Sequence, residues 1–194
     1  MVDTVAPLLD RSRGSILRAA TQVLVAAPQT TLAELAVALG TGRTTLHRLF
    51  PTRHDLLRAI AHDALDHLAA VYSGAGVTVT PQKPQDAIAA VRRLVCDLIP
   101  LGPSLMFLLR TSELDDDETL TRRSAEIDEP LRACIATAQA HADIDPALPT
   151  WWVVESLLAG IYIGWEQIAK GRLAPLDAPA LVMRTWLSGV RTTT

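Results

Sequence analysis

The sequence predicts an all-α protein, and three observations carry that prediction. Apolar residues recur at helical spacing along most of the 194 residues. Strand-like character is confined to Val77–Thr80, which lies between Gly76 and Pro81 and reads as a loop. Glycines and prolines cut the remainder into pieces of helix length.

The pieces follow in order. Ile16, Leu17, Ala20, Leu24 and Ala27 form one apolar stripe, closed by Pro28. Residues 31–50 form two short helices, treated below. Leu56, Leu57, Ile60, Ala64, Leu65 and Leu68 form a further stripe that ends at Gly74-Ala75-Gly76. The stretch from Gly74 to Pro84 is the expected boundary between two domains, residues 1–73 and 74–194. Beyond it the pattern predicts helices over 85–99 and 103–113, the latter with Pro103 in its first turn. The acidic run Asp115–Glu118 opens a long helix to about Ala142, where negative charge suits the N-terminal dipole, and it reads as a solvated helix start. Two strongly apolar helices, 148–170 and 177–190, complete the chain on either side of a Gly171–Pro175 break.

Composition narrows the function. At 49% hydrophobic and 20% charged residues, the chain has the make-up of a soluble globular protein. The apolar run Trp151–Trp165 is interrupted by Glu155 and is too short to cross a bilayer, so no membrane partner is expected. No charged, apolar and small-residue succession of the secretory kind stands at the N-terminus, and a cytoplasmic protein is expected. Cys96 and Cys134 lack metal-type spacing and read as reduced, buried thiols. His54, His62 and His67 are offset by eight and five residues, which puts no i, i+4 pair on one helix face, and they read as solvated rather than metal-binding. There is no phosphate loop, nucleophile elbow or paired carboxylate on an apolar face. The chain is therefore expected not to be an enzyme and to need no cofactor.

The net charge of −3 argues against a generally basic nucleic-acid binder. The local distribution is different. Arg43, Arg48, Arg53 and Arg58 fall within sixteen residues whose one acid is Asp55. Contact with phosphates needs such a patch rather than a basic protein.

That patch coincides with a motif, TLAELAVALGTGRTTLHRLF at 31–50. Thr31 and Glu34 have the spacing of a capping box ahead of Leu32, Leu35, Ala36 and Leu39. Gly40 stands where a positive φ is needed to stop a helix and turn. A second helix starts after Thr41 or Gly42, with Leu46, Leu49 and Phe50 turned inward. Two short helices joined by a glycine turn make a helix-turn-helix, whose second helix enters the major groove of DNA. The outward residues of that helix are Arg43, Thr44, Thr45, His47 and Arg48. An arginine can fork onto guanine, a threonine methyl can meet a thymine methyl, and hydroxyl or imidazole can donate to phosphate.

Residues 11–73 resemble the N-terminal domain of the tetracycline-repressor (TetR) family of bacterial regulators. The resemblance rests on Thr31, Leu35, Ala36, Gly40, Thr45, Leu46, Phe50, Pro51, Arg53, Leu56 and Leu57 in register, with the turn glycine and the L-x-x-x-F-P-x-R exit. It implies a DNA-binding transcriptional regulator, a repressor released from its operator by a small molecule. It also implies that Thr31 offers its hydroxyl and backbone N–H to a phosphate. Arg43, Thr44 and Thr45 would face base edges, His47 would stand for the usual phosphate-binding tyrosine, and Arg53 would clamp another phosphate. Gly42 in place of a capping Ser or Thr, Thr44 in place of a glycine, and Leu49 in place of a histidine depart from the family pattern.

For the second domain the resemblance implies a homodimer built on the last two helices. Trp152, Ser156, Gly160, Ile163 and Gly164 put small and apolar residues on one side of the penultimate helix, facing Val182, Thr185, Trp186 and Gly189. An isologous dimer would set two recognition helices roughly 34–36 Å apart. A small-molecule effector is expected among the helices 85–99, 103–113, 118–142 and 149–170, with Leu98, Met106, Phe107, Arg110, Cys134, Tyr162 and Trp165 as candidate lining. Arg110 follows an apolar stretch and needs a partner, either Glu113 or an anionic group of the ligand. The alternative reading is a helical dimeric ligand-binding protein that has lost specific DNA binding.

Overall fold

The computed structural model describes the backbone of residues 5–77 and 84–191 and the side chains of 13–77 and 86–191. Its order is α1 (Val5–Ala26), α2 (Leu32–Ala38), α3 (Arg43–Leu49), α4 (Arg53–Gly74), α5 (Pro84–Leu98), a 3₁₀ turn at Ile99–Leu101, α6 (Gly102–Arg110) and a second 3₁₀ turn at Ser112–Leu114. Then follow α7 (Glu118–Ala140), α8 (Thr150–Ala169) and α9 (Ala178–Val190). The protein is all-α, with an N-terminal helix-turn-helix domain and a C-terminal helical domain. Of the stretch read as a loop, Val77 is non-helical and buried, while residues 78–80 lie outside the described residues.

Two compact units form. The first comprises the chain up to Asp66 together with Pro103–Thr121, and the second comprises His67–Gly102 with Arg122–Thr194. This division differs from a single cut at 73/74, because the segment 103–121 belongs to the first unit. Leu105, Met106, Phe107, Leu114 and Leu120 of this segment are buried, whereas Leu109 is 67% exposed.

In the first unit the predicted stripes are the core. Leu17, Ala20 and Leu24 of α1, Leu35 and Ala36 of α2, and Leu56, Leu57 and Ile60 of α4 are buried, with Leu46 and Phe50 beside the turn. Both ends of α2 are capped as the sequence suggests. Thr31 and Glu34 form the capping box. Gly40 takes φ +61°, with its N–H donating to Val37 O at 3.1 Å and the Thr41 N–H donating to Ala36 O at 3.0 Å. This pair of bonds satisfies the last carbonyls of α2 and requires the left-handed residue at 40. A second box, not read from the sequence, starts α4. The Asp55 N–H donates to Thr52 Oγ1 (3.0 Å), and the Thr52 N–H donates to Asp55 Oδ2 (3.0 Å).

The second unit is organised by polar anchors inside an apolar core. The Gln139 amide on α7 donates to Asp145 O (3.1 Å) and Leu148 O (2.7 Å) and accepts from Thr150 Oγ1 (2.7 Å), which fixes the α7–α8 connection. The Trp186 indole donates to Val153 O (3.1 Å) and Ser156 Oγ (3.2 Å), which fixes α9 against α8. The Tyr72 hydroxyl donates to Asp128 Oδ1 at 2.9 Å. Burial, with the Asp128 charge behind it, pushes the Tyr72 hydroxyl far above its ordinary range, and burial also raises the Asp128 carboxyl.

Gly102 admits no side chain. A Cβ there would lie 2.7 Å from Trp165 Cδ1 and 3.0 Å from Cγ, against a large indole that is itself buried. Gly102→Ala should therefore lower stability by about 1–3 kcal/mol through overpacking, read as a drop in the urea midpoint at unchanged slope. An unchanged midpoint would mean that Trp165 has room to move aside.

Candidate nucleic-acid interface

The recognition helix begins at Arg43, with Gly42 as its N-cap in extended conformation and no side-chain capping bond. The absent Ser or Thr leaves that end without a hydroxyl cap. The start is held instead by the backbone bond from Leu46 N to Gly42 O at 3.0 Å. Leu46 and Phe50 are buried, Leu49 is half-buried, and the Arg13 guanidinium lies 5.5 Å from the centre of the Phe50 ring. Locking that side inward turns the other outward. Arg43, Thr44, Thr45, His47 and Arg48 are all exposed. They form one surface with two guanidiniums, an imidazole, two hydroxyls and no acid.

Thr31 and Arg53, which the resemblance assigns to phosphates, both have partners within the chain. Both Thr31 donors are taken, since its N–H and its hydroxyl each donate to Glu34 Oε2 at 2.8 Å. These bonds hold the Glu34 carboxyl below the usual carboxylate range. A phosphate would have to displace that carboxylate. Arg53 is engaged inside its own unit as well. Nε donates to Thr30 O (3.4 Å), Nη2 to Pro28 O (2.5 Å) and Nη1 to Glu113 Oε1 (2.6 Å). Arg53 thus ties the α1–α2 connection and the second 3₁₀ turn to the start of α4. Nearby, Arg58 Nε donates to Asp117 Oδ2 at 2.7 Å. Asp117 in turn caps α7 by accepting from Thr119 N (3.0 Å) and Leu120 N (3.2 Å). Burial opposes its ionisation, yet the backbone donors and Arg58 together hold its carboxyl below the ordinary range. Asp117 is therefore a cap and an ion-pair partner, more than a solvated helix start. The Arg53–Glu113 and Arg58–Asp117 pairs are separated by 60 and 59 residues, and no local pattern announces them.

The residues predicted for a dimer come together. Trp152, Ser156, Gly160, Ile163, Gly164, Val182, Thr185, Trp186 and Gly189 all line one groove of about 440 Å³ between α8 and α9. Trp152 is 54% exposed and Ile163 59%, whereas Val182, Gly164 and Trp186 are buried within the chain. A methyl at Gly160 or Gly164 would meet Val182 at 3.5 Å, an ordinary contact, so α9 alone does not demand glycine at either position.

The residues predicted to line a ligand cavity divide between the units. Met106, Phe107 and Arg110 line a cavity of about 190 Å³ in the first. In the second, Leu98, Cys134 and Trp165 are buried and Tyr162 is half-buried. Trp165 Nε1 is buried with no hydrogen-bond partner. Cys134 Sγ lies 3.7 Å from Ala87 O, and burial pushes its thiol up to about 11. Cys96, expected to be buried, is exposed, because it lies on the outer side of α5 beside Arg92 and Asp97. Among the described residues no three His, Cys, Asp or Glu side chains gather as a metal site, and no helix is long and apolar enough to cross a membrane.

No protein-family model matches the chain. It is 32% identical over 185 residues to the HTH-type transcriptional repressor LfrR of Mycolicibacterium smegmatis, covering 94% of this chain and 92% of that protein. The solved structure of the TetR-like regulator LfrR from Mycobacterium smegmatis in complex with proflavine superimposes with a TM-score of 0.75 at 30% identity, over 95% of this chain and 99% of that one. The TetR family regulator PfmR from Thermus thermophilus shares the fold, with a TM-score of 0.73 at 17% identity over 93% of this chain and 96% of that one. On the helix-turn-helix geometry and on this likeness over nearly the whole length, the chain belongs to the TetR family of DNA-binding transcriptional regulators.

Proposed function

We propose that this protein is a homodimeric repressor that holds an operator through α3 and releases it when a small molecule binds. The observation that carries the reading is the outward face of α3, where five exposed polar residues include two arginines and no acid. Arg43, Thr44 and Thr45 read base edges from the helix start, while His47 and Arg48 reach phosphates. Thr31 and Arg53 brace the motif from within. Residues 1–73 serve DNA binding, and residues 74–194 serve effector binding and dimerisation through the α8–α9 groove. A relative named as a repressor and crystallised with proflavine supports response to a small molecule. The unpartnered Trp165 Nε1 is a donor that an effector's acceptor atom would satisfy. The protein acts in the cytoplasm, where its operator is.

The test is binding to the intergenic DNA upstream of the protein's own gene, by fluorescence anisotropy at two salt concentrations. Removing Arg43 and His47 together (Arg43→Ala, His47→Ala) should weaken binding about 100-fold and flatten the salt dependence by about one unit per lost phosphate contact. Wild-type binding no tighter than to random duplex would favour a ligand-binding dimer without an operator. Tight binding that the double variant keeps would move the reading head off α3.

A further inference from the structure

The helix-turn-helix offers DNA a narrow set of side chains. Residues 40–50 contain no Asp, Glu, Asn or Gln. The carboxylates that flank this stretch, Glu34 and Asp55, are held in capping boxes by Thr31 and Thr52. In the major groove an Asn or Gln forks onto adenine, and a carboxylate takes the cytosine amino group. With neither kind of reader on α3, base recognition falls to arginine on guanine and to a threonine methyl on the thymine methyl.

The two arginines of α3 are not equivalent. Arg43 is its first residue, whereas Arg48 lies in its last turn. The N-terminal residues of a recognition helix are those that reach base edges. The two threonines differ as well. Thr44 lies roughly 160° round the helix from the buried Leu46, and Thr45 only roughly 100°. Thr45 Oγ1 also turns back toward the helix start, 3.5 Å from where a Cβ on Gly42 would stand. Arg43 and Thr44 are exposed, whereas Arg53 and Arg58 are engaged by Glu113 and Asp117.

From this placement we infer that α3 specifies its operator through one guanine read by Arg43 and one thymine methyl read by Thr44. The Arg43 guanidinium forks onto O6 and N7 of the guanine, and the Thr44 methyl packs against the C5 methyl of the thymine. Arg48 reaches a phosphate and carries no base preference. The inference rests on the operator reading above and adds which bases define the site and which residue reads each.

The test starts by selecting binders for the full chain from a randomised duplex library. The enriched motif is then measured by fluorescence anisotropy with each base pair substituted in turn. Wild type should lose about tenfold or more at one position when guanine is replaced. At another it should lose about fourfold when thymine gives way to uracil, which lacks only the methyl. Arg43→Ala should make the guanine position indifferent and leave the other preferences in place, which also shows that the variant is folded. Thr44→Ser, which keeps the hydroxyl and removes the methyl, should bind the thymine and uracil duplexes equally. Arg48→Ala should weaken binding to every duplex by the same factor. The assignment is overturned, with the operator reading intact, by a motif that needs no guanine or by uniform weakening in Arg43→Ala. Relaxation of the guanine position in Arg48→Ala, or an undiminished preference for thymine over uracil in Thr44→Ser, does the same. A selection that enriches no motif overturns both readings.

Discussion

Phe50→Ala should cost roughly 3–5 kcal/mol, most of what a small helical unit has to spare. Phe50 is 1% exposed and closes α3, its N–H donating to Leu46 O at 2.8 Å and its ring facing the Arg13 guanidinium. Truncation removes the transfer energy of the ring, leaves a cavity beside Leu46 and frees Arg13 from its aromatic partner. Phe50→Leu should recover most of the loss, since it keeps the apolar volume and sacrifices only the ring contacts. The choice of probe matters. All four tryptophans, at 151, 152, 165 and 186, lie in the second unit, so indole fluorescence would report on the wrong half. Amide exchange at residues 46–50, with far-UV circular dichroism, measures the intended region. A loss under about 1 kcal/mol would mean that the motif draws little stability from this residue.

If the protein pairs through α8 and α9 as proposed, Ile163→Asp should leave it a monomer without unfolding it. Ile163 is 59% exposed in the isolated chain, so a polar replacement there belongs with surface substitutions, within about 0.5 kcal/mol. In a two-fold interface over the α8–α9 groove the same change counts twice, burying two unpaired carboxylates near one axis at roughly several kcal/mol each. Sedimentation velocity at micromolar concentration should show a single species of monomer mass, with circular dichroism unchanged. Operator affinity should fall by about 100-fold or more, because the second half-site would no longer be bound by a tethered partner. A variant that stays dimeric would move the interface away from α8 and α9.

How much of this was legible in the sequence varies with the range of the interaction. The capping box Thr31–Glu34, the stop at Gly40 and the inward Leu46 and Phe50 were all read within a few residues of where they act. Thr52–Asp55 was equally readable, since it has the same spacing with Asp in place of Glu. The groove residues of α8 and α9 were found because the family resemblance pointed to the last two helices and helical periodicity places one face of each together.

What the sequence by itself determined is thus the order of helices, their ends and the face each buries, because periodicity and caps are local and a chain can satisfy them before it folds. Only the tertiary structure decided which distant groups meet. Glu113 took Arg53, and Asp117 took Arg58, out of a surplus of chemically equivalent acids. Cys134 went inside and Cys96 outside, although both sit in helical, partly apolar surroundings. Gly102 became indispensable when the Trp165 ring came to rest against it. Such choices turn on which of many suitable partners packing brings within a few ångströms, a quantity carried by the whole fold and by no segment of it.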